Sequence, residues 1–555
     1  MYVEYVHCRR KLKTYTQVLL RESFRVNEGG KSKVKHRTIA NLTKQPPELV
    51  QALRLALKQP ARVAALNEET TAAVELVEGK SVGAVWAAVQ TAKRIGVAKA
   101  LGRGRQATLA LWQIVARLIE QGSRLSAVRL HETHALADVL QLERGFDEDD
   151  LYDNLAWLAD NQARIETRLF RQRSAGKPAC DLFLYDVTSS YFEGRHNHFA
   201  AWGYNRDGKR GKKQMVVGLL CDADGEPISV QAFPGNTQDV KTFSDQVRKV
   251  AGRLGCRRVT FTGDRGMIKS GQLDELSEAG FHHITALTKP QMETLLREGA
   301  IQLDMFDENL CEIERHGQRY ILRRNPVRAG EQATSRADKQ ASIATLVTGR
   351  NDYLRAHPRA KVETALRLAG EKIDRLRCGK WLGVKVCGRA LRLDLDEAAL
   401  RTAARLDGCY IITTDLPAEA VTAEQAHARY KDLARVERAF RTCKTGHLEL
   451  RPIHVRSEKS TRGHVFVVML AYLLRRELER AWQGFDGTVA EGLDSLKTLT
   501  AIQTRIGGAW SAHRIPRPRE NSARLLRALE LTPPALLVSR EIRVATKKKL
   551  SSQRL

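Results

Sequence analysis

The sequence of 555 residues contains no Cys-x-x-Cys pair; its nine cysteines, at positions 8, 180, 221, 256, 311, 378, 387, 409 and 443, are scattered. That spacing excludes the usual thiolate zinc sites, and an odd number of scattered thiols argues against a secreted disulfide framework. Long apolar runs are missing too. The longest, Val465 to Leu474, falls far short of the ~18 residues that a membrane span requires. The opening MYVEYVHCRRKLK lacks the apolar core of a signal peptide. These absences predict a cytoplasmic protein with reduced thiols and no membrane partner. Acidic residues are also in deficit: 64 Asp and Glu face 92 Lys and Arg, a formal net charge of +28. Such a field suits a polyanion, because it speeds association with DNA or RNA and supplies salt-sensitive phosphate contacts. A basic ribosomal or membrane-surface protein shares this balance, since charge speaks to binding and not to fold.

A chain of this length exceeds one hydrophobic core, and its 43% apolar content can fill three or four. Residues 1–65 read as a basic α/β head, with a hairpin turn at Asn27-Glu28-Gly29-Gly30 and a helix opened by Pro46-Pro47. Residues 66–175 are helical in pattern (Val85, Val89; Leu111, Ile114, Val115, Leu118), with breaks at Gly102 to Arg105 and at Gly122-Ser123. That pattern fits a helical DNA-binding domain of helix-turn-helix type, or a helical packing domain with a solvated basic face.

From 176 to 290 the period shortens to that of strands. LFLYDVTSSYF and MVVGLLCDADGEPISVQAF give three strands in hairpin order, followed by helix, strand, helix and strand. The order βββαβαβ is that of an α/β fold of ribonuclease-H-like type, a mixed sheet whose first and fourth strands are central neighbours. The stretch between Asp264 and Glu437 is far longer than a connecting loop, for which ~4–6 residues is normal. Residues 291–418 are therefore predicted to form an inserted, β-rich domain with two charged helices. Residues 419–485 return the chain to the core with the helix of Glu437 and an apolar helix that packs on the sheet. Residues 486–555 read as a helical region ending in a disordered basic tail, VATKKKLSSQRL.

Three acids stand out against this plan. Asp186 is flanked on both sides by apolar or β-branched residues, and a carboxylate within a central strand is costly unless a cation or donor meets it. Asp264 ends a strand in RRVTFTGDRG, and Glu437 lies in the helical pattern ARYKDLARVERAFRTCK. Each alone has an ordinary reading, the aspartates as turn or cap residues and the glutamate on a solvated helix face. Together they are what a fold would use to converge three carboxylates on a pair of Mg²⁺ ions for in-line phosphodiester attack. Seven helical steps of ~100° return nearly to the starting face, so Tyr430, Glu437 and Lys444 share one side of a continuous helix. Tyr430 could then hydrogen-bond a phosphate and Lys444 could place a charge against the backbone. In GYNRDGKRGKKQ, Lys209, Arg210, Lys212 and Lys213 form either a phosphate-contacting loop or a solvated one.

YDVTSSYFEG, GDRGMIKSGQ and the Tyr430/Glu437/Lys444 segment together resemble the DDE transposases of bacterial insertion sequences, in particular the IS-four-type superfamily with its tyrosine, arginine, glutamate, lysine signature. The arginine position holds Leu433, and Arg435 is the candidate to replace it. The resemblance implies an enzyme that binds terminal inverted repeats in double-stranded DNA and works as a homodimer on paired ends in the bacterial nucleoid. It implies cleavage and strand transfer through a DNA hairpin at a site of Asp186, Asp264 and Glu437 holding two Mg²⁺, with Mn²⁺ as a substitute. It also implies an aromatic residue of the inserted domain stacking on a flipped base. Trp381, the single tryptophan of that segment, is the candidate, with burial in a core as its alternative. Two other classes remain. A ribonuclease-H-like nuclease would cut without joining strands, and a catalytically silent DNA-binding protein would bind equally well with the acids replaced.

Overall fold

The run LFLYDVTSSY offers apolar groups to both faces of a strand, and in the computed structural model it takes the place such a strand must take, the middle of a sheet covered on both sides. The structure describes all residues except 11–12, 29–30, 59–74, 177–179, 195, 205, 210, 257–258, 265–266, 269, 445–447, 453, 507–509, 539–541 and 548–555. The described chain divides into two compact units, one of residues 1–80, 500–517 and 534–539, the other of residues 81–499, 518–533 and 540–555.

The larger unit is built on β1 (Leu182–Tyr191), β2 (Gln214–Asp222), β3 (Pro227–Pro234), α1 (Asp239–Arg248), β4 (Thr260–Gly263), α2 (Ser270–Glu278) and β5 (His282–Ala286). This is the βββαβαβ order expected from the sequence. β1 runs antiparallel to β2 and parallel to β4, with Leu182 level with Thr260 and Tyr185 level with Gly263. Aromatic rings fasten α1 to these strands: Phe183 stacks on Phe261 at 5.8 Å, and Phe243 meets Phe261 edge-on at 5.4 Å.

The inserted segment differs from a separate β-rich domain. Its strands β6 (Cys311–Arg315), β7 (Gln318–Arg324) and β10 (Cys409–Thr414) continue the main sheet, which has eight strands in the order β6-β7-β10-β5-β4-β1-β2-β3. What stands apart is largely helical: α3 (Pro326–Ala356), α4 (Val362–Leu376) and the hairpin of β8 (Leu382–Cys387) and β9 (Ala390–Leu395). These close around their own core of Ile343, Ala369, Ile373 and Trp381. The edge of the main sheet takes up the expected strands because β7 and β10 pair through Ile321 and Ile412 and bury both.

After β10 come α5 (Ala423–Lys431), α6 (Leu433–Lys444) and the apolar α7 (Glu458–Ala481). α7 packs on β3 and on the helices 105–119 and 148–174. At Gly463 it comes so near the helix 148–174 that an added Cβ would lie 2.0 Å from the Leu155 carbonyl oxygen. Glu226, its side chain 6% exposed at the end of the β2–β3 turn, ties the same layers together by accepting from Arg173, Arg476 and Arg480. The lower-than-normal pKa of Glu226 shows these guanidiniums outweighing its burial.

In the smaller unit, strands Tyr2–Arg10, Lys13–Glu28 and Lys31–Asn41 form an antiparallel sheet followed by the helix Pro47–Lys58, as the alternation of the basic head predicts. Glycines 29 and 30 of the expected hairpin turn lie outside the described residues. The region after 486 is not wholly helical. Thr500–Ile506 and Trp510–Arg514 are strands in a sheet that also takes in Glu75–Ser81 and Leu536–Leu537. Of the expected disordered tail, residues 548–555 lie outside the described residues, while the Lys547 ammonium pairs with Asp147 at 2.8 Å.

Glycine in a helix interior usually costs ~1 kcal/mol relative to alanine, so Gly463→Ala would stabilise an isolated helix. Overpacking against a backbone carbonyl costs roughly 1–3 kcal/mol and outweighs that gain here. Gly463→Ala is expected to lower the thermal midpoint, and a raised midpoint would show that the two helices have room to part.

Candidate active site

The register of the two central strands determines the site. Because Tyr185 of β1 stands level with Gly263 of β4, the next residues of each, Asp186 and Asp264, come to the same height at the carboxyl end of β4. β1 continues past this point to Tyr191, so Asp186 lies inside a strand while Asp264 follows the end of one. The third acid arrives on α6, whose Val436, Ala439, Phe440 and Cys443 are buried, which turns Glu437 to the same opening. Asp186, Asp264 and Glu437 line one cavity of about 600 Å³, shared with Tyr430 and Leu433.

Electrostatics in this cavity are unfavourable by themselves. Burial above all pushes the Asp186 carboxyl up to about 7; its bond from the Val187 N–H (2.7 Å) opposes that, Asp264 raises it, and Arg206 and then Glu437 make smaller contributions that lower and raise it. Among the described residues no three His, Cys, Asp or Glu side chains stand close enough to hold one ion between them. The donor set nevertheless fits a hard divalent cation. It consists of carboxylate oxygens alone, and a cation among them would relieve both the burial and the repulsion that raise Asp186.

Tyr430 and Lys444 flank the acids from different helices. The expected continuous helix is interrupted at Asp432 between α5 and α6, so Tyr430 belongs to the end of the first and Lys444 to the end of the second. The Tyr430 hydroxyl donates to Asp264 Oδ1 at 3.4 Å. Lys444 donates to Thr188 Oγ1 at 3.1 Å, two residues along β1 from Asp186, and is ion-paired with Asp207. Leu433 is 8% exposed and presents only apolar surface.

Other expected residues go elsewhere. Arg435, two positions before Glu437, donates to the Ala223 carbonyl in the β2–β3 turn and pairs at 3.1 Å with Asp432 at the break between α5 and α6, and it does not line the cavity. Trp381 is 6% exposed inside the core of the inserted segment, which leaves no face open for a base. In the β1–β2 loop Lys209 lies over the Tyr191 ring at 5.8 Å, Lys212 pairs with Glu193 at 2.8 Å, and Lys213 is half-buried. Arg210 lies outside the described residues.

Several candidate residues were not foreseen. Trp202 and Tyr204, 61% and 78% exposed, precede the lysines of that loop. Gln214 pins the loop by donating to the Tyr204 and Gly235 carbonyls at 3.0 and 2.9 Å. Aromatic residues interleaved with cations are a pattern of single-strand contact surfaces, and the sequence AWGYNRDGKRGKK carries it. Asn325, Arg328, Tyr410 and His427 also line the acid cavity, and only the topology brings them there.

A family model described as "Transposase DDE domain" matches residues 180–474, and one described as "IS1634 family transposase, N-terminal domain" matches residues 5–70. Among solved structures the chain is similar to a piggyBac transposase synaptic complex with hairpin DNA, at 9% identity and a TM-score of 0.34, covering 74% of this chain and 76% of that one. It is also similar to a Mos1 transposase paired-end complex with left transposon end, at 15% identity and a TM-score of 0.14, covering 33% of this chain and 59% of that one. No curated protein matches.

The raised Asp186 carboxyl gives a test of the site. Between about pH 4 and 7 the folded protein keeps a proton that the unfolded chain has released, so this residue lowers stability as pH rises through that window. Without divalent ions, Asp186→Asn is expected to raise the thermal midpoint at pH 8, by an amount equivalent to roughly 1–3 kcal/mol, and to have little effect at pH 4. Equal shifts at both pH values would show that the site does not raise the Asp186 carboxyl.

Proposed function

The chain belongs to the DDE transposases of bacterial insertion sequences, enzymes that cut and transfer DNA, and from that premise we propose that Asp186, Asp264 and Glu437 are its catalytic carboxylates. The observation that carries this reading is the single cavity shared by three acids from distant parts of the chain. In this reading the protein binds the terminal inverted repeats of its element and moves the element by cut and paste. Water first displaces the 3′ oxygen at one strand of the element's end. The freed 3′-OH then attacks the opposite strand, forming a hairpin on that end, and opening of the hairpin by water regenerates a 3′-OH for attack on target DNA. Each step makes one phosphorus–oxygen bond and breaks another.

Asp186, Asp264 and Glu437 would hold two Mg²⁺ ions, with Mn²⁺ as a substitute, and the bound pair would supply stabilisation of charge on the attacking and leaving oxygens. The Tyr430 hydroxyl orients Asp264 through its hydrogen bond. Lys444, held between Thr188 and Asp207 two residues along β1 from Asp186, would offer its charge to the scissile phosphate as negative charge builds there. Lys209, Lys212 and Lys213 would contact the DNA backbone as it approaches, with Arg210 of the same basic run of sequence as a further candidate. The expected helical DNA-binding region (66–175) and basic head (1–65) are assigned to recognition of the repeats. A homodimer on paired ends lets each active site cut the end held by its partner. Among the described residues no helix is long and apolar enough to cross a membrane.

Cleavage of a labelled duplex carrying the parent element's terminal repeat, in Mg²⁺, tests this assignment. Asp186→Ala, Asp264→Ala and Glu437→Ala are each expected to lower the cleavage rate by at least about 10³-fold while leaving DNA binding intact. Native protein should give a hairpin product. Full cleavage by any one of the three variants would remove that acid from the site, and linear double-strand ends with no hairpin would remove the hairpin step.

A further inference from the structure

A DNA phosphate entering a cavity lined by three carboxylates meets its own sign of charge, so the cavity's other walls must supply positive groups. Few lining side chains can. His427 cannot, because burial, then Lys431 and Arg323, push its imidazole down to about 4, and its Nε2 lies 2.6 Å from the Tyr410 hydroxyl. Leu433 is apolar, and Arg435 on the same helix is turned to the Ala223 carbonyl. Among the described lining residues the lasting cations are Arg328 and Lys431.

We infer that Arg328, carried into the acid cavity by the inserted segment, binds a phosphate of the DNA strand being cut. This rests on the assignment of Asp186, Asp264 and Glu437 as the catalytic acids. Topology brings Arg328 there. β7 is antiparallel to β10, and β10 is antiparallel to β5, so β7 runs in the direction of β5 and β4. Its carboxyl end opens at the same edge of the sheet as Asp264, and Arg328 follows in the first turn of α3.

That turn is bolted down. The Arg328 N–H donates to Asn325 Oδ1 at 3.1 Å, the Asn325 N–H to the Gly408 carbonyl at 2.9 Å, and the Gly408 N–H to Gln332 Oε1 at 3.0 Å. Two turns on, Arg336 grips both carboxylate oxygens of Asp407. Gly408 has φ +72°, and a Cβ there would lie 2.3 Å from the Asn325 carbonyl oxygen, so the contact is as close as backbones allow. The Arg328 guanidinium itself stays 72% exposed, paired with Glu331 at 2.9 Å. An exposed pair of this kind is worth ~0–1 kcal/mol, and exchanging it for a phosphate costs little. A planar guanidinium can bind two phosphate oxygens at once, which the ammonium of Lys431 cannot.

The test uses the full chain and the terminal-repeat duplex, comparing native protein, Arg328→Ala, Arg328→Lys and Glu437→Ala. Arg328→Ala is expected to slow cleavage about 10- to 100-fold with DNA affinity changed less than about threefold, and Arg328→Lys to fall between. A set of duplexes, each with one phosphate near the cut replaced by an uncharged methylphosphonate, supplies the second readout. At the phosphate that Arg328 holds, this replacement should slow the native protein and have no added effect on Arg328→Ala. Native rates from Arg328→Ala beside an inactive Glu437→Ala would overturn the inference and leave the acid site standing. So would a slowed Arg328→Ala that responds to every methylphosphonate as the native protein does. An active Glu437→Ala would instead overturn the acid site, and the role of Arg328 with it.

Discussion

A carboxylate that a fold buries in a cavity with two others gives up hydration and meets like charge, and the architecture around this site can be understood as what holds it there against that cost. Asp186 bears the cost most plainly, since burial above all, with lesser help from Asp264 and Glu437, pushes its carboxyl up. Each acid stands on an element that is anchored elsewhere. β1 is covered on both faces, β4 is buried along its whole length, and α6 sinks Val436, Ala439, Phe440 and Cys443 into the interior. The stabilisation comes from apolar burial at roughly 25 cal/mol per Å², spread over the Phe183, Tyr185, Phe243 and Phe261 core and the face of α7. The fold thus spends free energy to hold an arrangement that a divalent cation, if bound there as proposed, would make favourable.

The inserted segment is part of this arrangement and not an appendage to it. Three of its strands complete the eight-stranded sheet, and its first helix starts beside the acids. An insertion that continues a sheet fixes its own position by a ladder of backbone hydrogen bonds, which loops alone would not do. The consequence is a wall of the acid cavity made from residues far from all three acids in sequence.

How much of this could be read from the sequence depended on whether the information was local. The βββαβαβ order was legible because each strand carries its own pattern and its own turn, as at Asp222 to Gly225. The place of Asp186 inside a buried strand was legible from the apolar residues on both sides of it. Long-range choices were not. CEIERHGQRYILRR and GCYIITTDL read correctly as strands, but pairing of Ile321 with Ile412 in the main sheet depends on a partner that no local pattern names. TAIQTRI, near the carboxyl end, is a strand in the sheet of Glu75–Ser81 for the same reason, although its region was expected to be helical. Trp381 has the residue type of a stacking platform, and only the positions of Ile343 and Ile373 around it show that it is core. The break at Asp432 escaped because a one-residue turn barely disturbs the helical spacing of apolar groups.

The most direct test of the central claim, that acids so far apart in sequence share one divalent-cation site, is backbone cleavage by bound iron. Fe²⁺ with ascorbate generates hydroxyl radicals that cut only chain close to the ion, and the fragments can be mapped by mass. Scission clustered around residues 186, 264 and 437, and suppressed by excess Mg²⁺, is the expected result. Scission confined to other residues, or around one of the three acids alone, would contradict it.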